Sequence, residues 1–123
     1  MDKFTYKNGR VQINIKTIEL GNDLCVAIWG GEKPHIGTIT LSVARPSLAD
    51  ESRSSSTTST INITGHKDDE VAKPVSEMLS AKLNKNVAVT CGIHIVNITL
   101  EEIKEIISVT INWAERYIEN SIL

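Results

Sequence analysis

The first half of the chain alternates apolar and polar positions with a period of two. Val11, Ile13 and Ile15 interleave with Gln12, Asn14 and Lys16, the pattern of a strand with one buried face. The apolar phase then slips, because Ile18 and Leu20 are the next apolar positions. A slip of one turns the side chains to the other face, which predicts a bulge or strong bend near Lys16–Thr17. Gly21-Asn22-Asp23 reads as a turn. Leu24-Cys25-Val26-Ala27-Ile28-Trp29 is apolar throughout, and a strand apolar on both faces needs cover on both. Gly30 to Pro34 reads as a loop, and Ile39, Leu41 and Val43 then alternate with Thr38, Thr40 and Ser42. From Arg45 to Ser56 the chain is polar and without period. Ser59, Ile61 and Ile63 restore the alternation in a strand that ends at Gly65.

The second half changes period. Asp68-Asp69-Glu70 places acids where a helix begins. Val71, Val75, Met78, Leu79 and Leu83 follow at helical spacing, with Pro74 disturbing the first turns. Val87, Val89, Cys91, Ile93 and Ile95 form one apolar face of a further strand. Thr99 and Glu102 have capping-box spacing. The helix they open carries Leu100, Ile103, Ile106, Ile107, Ile111, Ala114 and Ile118 on one face. The expected fold is therefore α+β, in the order β-β-β-β-α-β-α, with a possible extra strand at Phe4-Thr5-Tyr6. A mixed, mostly antiparallel sheet would carry two helices on one face.

At 123 residues the chain reads as a single domain, 1–123. A net charge of -2 does not favour a nucleic-acid surface. No apolar run is long enough to cross a bilayer, and the opening residues have no signal-peptide h-region, so a cytoplasmic, membrane-free protein is expected. Cys25 and Cys91 lie in apolar runs and read as two buried free thiols. Helices cover only one face of so small a sheet. The other face, read as bearing Thr38, Thr40, Ser42, Thr58, Thr60 and Thr90, calls for a symmetric partner, hence a homodimer.

Topology gathers the chemistry. If the strands over 39–43 and 59–63 are antiparallel neighbours, His35 before one lies beside His66 after the other. A helical crossover leads to a strand running the same way as the 59–63 strand, which brings His94 to the same edge. Trp29, Gly30, Gly31, Lys67 and Asp68 join them. The paired glycines let backbone approach a ligand closely, while histidines and Lys67 suit a phosphate. The acids that follow repel a bare anion, and a divalent cation at His66 and His94 would reconcile the two. Dense metal-ligand spacing is absent. Arg45 and Arg53 bracket a serine-rich stretch that composition alone reads as a solvated loop, although hydroxyls and arginines do bind phosphate. By topology this loop starts at the opposite edge, so it reaches the site by folding over the sheet or from a partner subunit. For catalysis, Cys91 and His94 stand three apart and so on opposite faces of a strand. No nucleophile elbow or phosphate loop is present, so no catalytic residue is assigned.

Gly30-Gly31, Pro34-His35-Ile36-Gly37, Arg45-Pro46-Ser47-Leu48, the Ser/Thr stretch through Thr60, Gly65-His66-Lys67-Asp68-Asp69 and Gly92-Ile93-His94-Ile95 follow in an order and spacing that resembles the prenylated-flavin chaperones, typified by the small D subunit of gallate decarboxylase. One departure is Val96, where the family pattern carries an acid, so no ligand role is carried over there. The resemblance implies a fold like the proteasome-assembly chaperones, usually homodimeric. It implies a non-catalytic carrier of prenylated FMN (or FMN), serving between a flavin prenyltransferase and the catalytic subunit of a hydroxyarylic acid decarboxylase. With it, Arg45 and Ser55 join Trp29, Gly30, Gly31, His35, His66, Lys67, Asp68 and His94 as expected cofactor-binding residues. The alternatives are a dimeric assembly factor without its own cofactor and a metal-dependent enzyme using the histidines.

Overall fold

The computed structural model describes residues 3–63 and 68–122. Six strands, β1 (Lys3–Asn8), β2 (Val11–Leu20), β3 (Asp23–Gly31), β4 (Thr38–Pro46), β5 (Ser54–Asn62) and β6 (Val87–His94), are joined by α1 (Asp69–Leu83) after β5 and α2 (Leu100–Ile122) after β6. The sheet order is β1-β2-β3-β6-β4-β5. Only β3 and β6 pair in parallel; the other neighbours are antiparallel. The fold is thus α+β with a mixed, mostly antiparallel sheet. The extra strand anticipated at Phe4–Tyr6 is β1. The helical crossover carries the chain from β5 past β4 to β6, so β5 and β6 run the same way with β4 between them.

Both helices lie on one face. Between them and the sheet sit Val11, Ile13 and Ile15 of β2, Leu24, Val26 and Ile28 of β3, and Val87, Val89 and Cys91 of β6, all buried against Val75 and Leu79 of α1 and Ile106, Ala114 and Ile118 of α2. The Thr99–Glu102 capping box forms in both directions: Thr99 N–H donates to Glu102 Oε1 at 2.9 Å and Glu102 N–H to Thr99 Oγ1 at 3.1 Å. Leu100, expected on the core face of α2, is 62% exposed, because it sits in the first turn beyond the reach of the sheet.

Three expectations are corrected. No bulge interrupts β2: its register with β3 runs unbroken from Ile13↔Gly30 to Leu20↔Asp23. The phase slip reflects a change of which face is apolar, so Ile13 and Ile15 point into the core while Ile18 and Leu20 stand on the open face. The loop read over Arg45–Ser56 shrinks to the turn 47–53, with Arg45↔Ser55 paired across the β4–β5 ladder. Third, the hydroxyl-bearing face of β4 is the covered one. Thr38, Thr40 and Ser42 are fully buried, and Ser42 Oγ shares hydrogen bonds of 2.6 Å with Ser76 of α1 and with Thr58. The register puts Thr58 and Thr60 on that same face, while Thr90 lies opposite Ile39 and Ala27 on the open one. Helix α1 offers small polar residues there, so alternating hydroxyls pack inward and Ile39, Leu41 and Val43 turn outward, each about 45% exposed. With Ile18, Cys25, Ala27, Trp29, Ala88 and Ile61 they make the helix-free face broadly apolar.

Candidate functional site

The ends of β3 and β6 and the start of β4 meet at one edge of the sheet, and the segment 32–37 is laced onto β6 there. Glu32 N–H donates to His94 O at 2.7 Å, His35 N–H to Gly92 O at 3.5 Å, and Gly37 N–H to Cys91 O at 2.9 Å. The glycines of this edge serve the chain's own backbone. A Cβ on Gly30 would run into the Gln12 carbonyl, one on Gly31 into that of His94, and one on Gly92 into that of His35. Gly31 also has φ 72°, a conformation that favours glycine. The close approach read from Gly30-Gly31 is therefore made by neighbouring strands.

The Asp68 carboxylate ties the edge together. It is buried at the start of α1, and it makes no capping bond to its own helix. Instead Oδ1 accepts the Ile93 N–H at 3.0 Å and Oδ2 lies 3.4 Å from His35 Nε2. The other ring nitrogen of His35, Nδ1, is 2.9 Å from Lys33 O. His94 stands at the exposed end of β6, its ring centroid 6.4 Å from that of His35 and near-perpendicular to it. Two of the three histidines expected at this edge are thus neighbours. His66 and Lys67 lie outside the described residues.

On the helix side of the edge, a cleft of about 440 Å³ opens between the starts of α1 and α2. Asp68, Glu70 and His94 form its polar end, and Ile95, Ile98, Ile103, Ile106 and Ile107 line it with apolar surface. The isoleucine wall was missed from sequence. Its signals were the apolar run continuing past His94 to Ile98 and the i, i+3, i+4 spacing of Ile103, Ile106 and Ile107. Val96 N–H is held by Glu32 Oε1 at 2.8 Å and Val96 O by Arg10 at 2.7 Å. Arg10 in turn forks onto Glu102, whose carboxyl it holds down at about 2.

Trp29 is on the open face, half-buried, with Lys3 Nζ 5.5 Å from its ring centroid. Arg45 and Ser55 share that face but lie at the far end of the β4–β5 hairpin, where Arg45 donates to Thr57 Oγ1 at 2.7 Å. One chain does not bring them to the histidine edge. Both cysteines are free thiols. Cys91 is fully buried, and burial, aided by the negative charge of Asp68, pushes its thiol well up; a thiol so placed is a poor nucleophile. Cys25, expected to be buried, is half-exposed on the open face. Among the described residues no three His, Cys, Asp or Glu side chains converge as a metal site. No helix among the described residues is long and apolar enough to cross a membrane.

The comparisons with known proteins agree with this architecture. The profile of the prenylated flavin chaperone LpdD-like domain matches residues 7–121. A chain from the crystal structure of a novel chaperone complex for yeast 20S proteasome assembly superposes with a TM-score of 0.54, covering 95% of this chain and 97% of its own at 9% identity. At that identity the likeness is one of fold. No curated protein matches the chain.

Proposed function

This chain belongs to the family of prenylated flavin chaperone LpdD-like domains, and from that premise we propose that it is a non-catalytic carrier of prenylated FMN, or of FMN, that supports maturation of a hydroxyarylic acid decarboxylase. The observation that carries the reading is the cleft beside His94 and Asp68. Its volume falls within the roughly 300–1,000 Å³ typical of small-molecule sites. Its isoleucine wall suits a flat ring system, and its polar end sets His94 beside the carboxylates of Asp68 and Glu70, where a phosphate needs a cation to offset them. His94, with His35 one ring contact away, would hold the phosphate, joined by His66 and Lys67, which immediately precede Asp68 in the sequence. When bound, the cofactor supplies the decarboxylation chemistry to a partner enzyme. The chain's own task is to bind it, orient it and shield its ring from water. No nucleophile or acid–base pair has been assigned for turnover. A divalent cation held by His66 and His94 would supply that offset.

The apolar open face supports a homodimer formed sheet to sheet. One observation favours a second placement of the cofactor: Trp29, Arg45 and Ser55 all face that way. If two sheets pack antiparallel, Arg45 and Ser55 of the second copy approach Trp29 and His35 of the first, and the phosphate would lie between protomers. The flavin prenyltransferase and the decarboxylase catalytic subunit are the protein partners this role requires.

Titration of the purified protein with prenylated FMN and with FMN, followed by flavin absorbance, tests the reading. Moderate affinity is expected, roughly micromolar or about 8 kcal/mol, since a carrier must also release. His94→Ala should weaken binding by about 1–3 kcal/mol. Arg45→Ala should leave a cleft site unchanged and weaken an interface site. Absence of binding by either flavin would remove the carrier reading.

A further inference from the structure

Of the five aromatic side chains of Phe, Trp and Tyr in this protein, four line a second cavity, far from the histidine edge. It measures about 520 Å³ and lies between the outer strands of the sheet and the C-terminal half of α2. Phe4 and Tyr6 of β1 form one wall. Trp113 and Tyr117 of α2 form the other, their ring centroids 5.4 Å apart and inclined at 33°. All four rings are half-buried. Helix α2 commits a separate stripe, Ile106, Thr110, Ala114 and Ile118, to the core. The adjacent stripe, at helical spacing from Val109 to Asn120, faces the cavity.

The charge of this cavity is one-sided: its charged lining residues, Lys3 and Arg116, are both cationic, and Lys3 Nζ is drawn 5.5 Å from the Trp29 ring centroid. At the Tyr6 end, the Glu105 carboxylate is already engaged: Tyr6 Oη donates to it at 2.5 Å and Asn8 Nδ2 at 2.8 Å. Eleven residues along α2, about 16 Å of helix axis, Arg116 lines the opposite end. Arg116 is exposed and takes part in no ion pair or hydrogen bond among the described residues. The amides of Asn112 and Asn120 flank it, one turn to either side. Aromatic walls select a flat ring by stacking at 4.5–7 Å centroid separations, and a free guanidinium beside amide donors selects a carboxylate by paired N–H donation.

We propose that this cavity is a second ligand site, for a small aromatic carboxylate, with the ring between Phe4 and the Trp113–Tyr117 pair and the carboxylate on Arg116. The site is independent of the flavin reading, because it shares no residue with the histidine edge or its cleft.

Calorimetric titration of the full chain with sodium benzoate tests it, with benzyl alcohol as the neutral counterpart. Saturable benzoate binding is expected, at least about tenfold tighter than benzyl alcohol. Arg116→Gln, a surface change that the fold tolerates, should bring benzoate down to the level of the alcohol. No saturation by about 10 mM, a level of about 2.7 kcal/mol of binding, would overturn the proposal, as would an unchanged benzoate affinity in Arg116→Gln. FMN distinguishes the two sites. Its affinity should be the same for the parent and Arg116→Gln. A loss of about tenfold would make this cavity the flavin's own and overturn the assignment to free aromatic acids.

Discussion

His35 Nε2 lies 3.4 Å from Asp68 Oδ2, across the space that a side chain at position 37 would need. Gly37 is what lets the start of α1 close onto the segment 32–37, the strap before β4. The same carboxylate holds Ile93 N–H with its other oxygen, so one residue joins α1, β6 and the strap. Asp68→Ala should therefore cost about 1–3 kcal/mol, the penalty for stranding a donor in a sparsely hydrated place. Asp68→Asn, whose side-chain oxygen still accepts from Ile93, should cost less. Urea unfolding of the three proteins measures this. Equal midpoints for Asp68→Ala and the parent would refute the tie.

The Arg10–Glu102 fork has a pH signature. Arg10 and the Thr99 N–H lower the Glu102 carboxyl from an ordinary 4.5 to about 2 in the folded protein. A carboxyl whose pKa is lower in the folded state binds its proton first in the unfolded chain. Its stabilising contribution is present above about 4.5 and lost as pH falls towards about 2. Glu102→Gln should thus flatten part of the acid-side decline in melting temperature over that window. Parallel declines for the two proteins would contradict the pairing.

The two thiols report on the open face. Cys91 should resist alkylation until the protein unfolds, because burial and Asp68 keep it protonated. Cys25 should react in the native state. If two copies pack sheet to sheet, the Cys25 rate should rise on dilution as dimers part, while Cys91 stays silent. A Cys25 rate independent of protein concentration would argue against that dimer.

Element order was legible because alternation and helical spacing are local signals. Alternation does not say which of two faces is inward, and here it misled. Ile39, Leu41 and Val43 look like core residues, yet Ser76 and Ser80 of α1 make the buried partner surface polar, and the threonines go in. The insertion of β6 between β3 and β4, parallel to the first and antiparallel to the second, is a long-range pairing with no local trace. For the site, reasoning from strand direction brought His35 and His94 to one edge, where they are found. At Gly30 and Gly31 the close approach made within the chain is to Gln12 and His94, which composition cannot distinguish from approach to a ligand. The aromatic cavity went unseen because its walls come from opposite ends of the chain. Its signals were the Phe4/Tyr6 and Trp113/Tyr117 spacings, which fit one strand face and one helix face.

The most direct test of the carrier account is delivery. Apo-decarboxylase is supplied with limiting prenylated FMN, with and without this protein, and the active fraction is measured over time. The account predicts a higher active fraction with the protein present, a smaller gain with His94→Ala, and no product from this protein and cofactor alone. Equal activation with and without the protein would contradict delivery, and steady product formation by the protein without the decarboxylase would contradict its being a carrier.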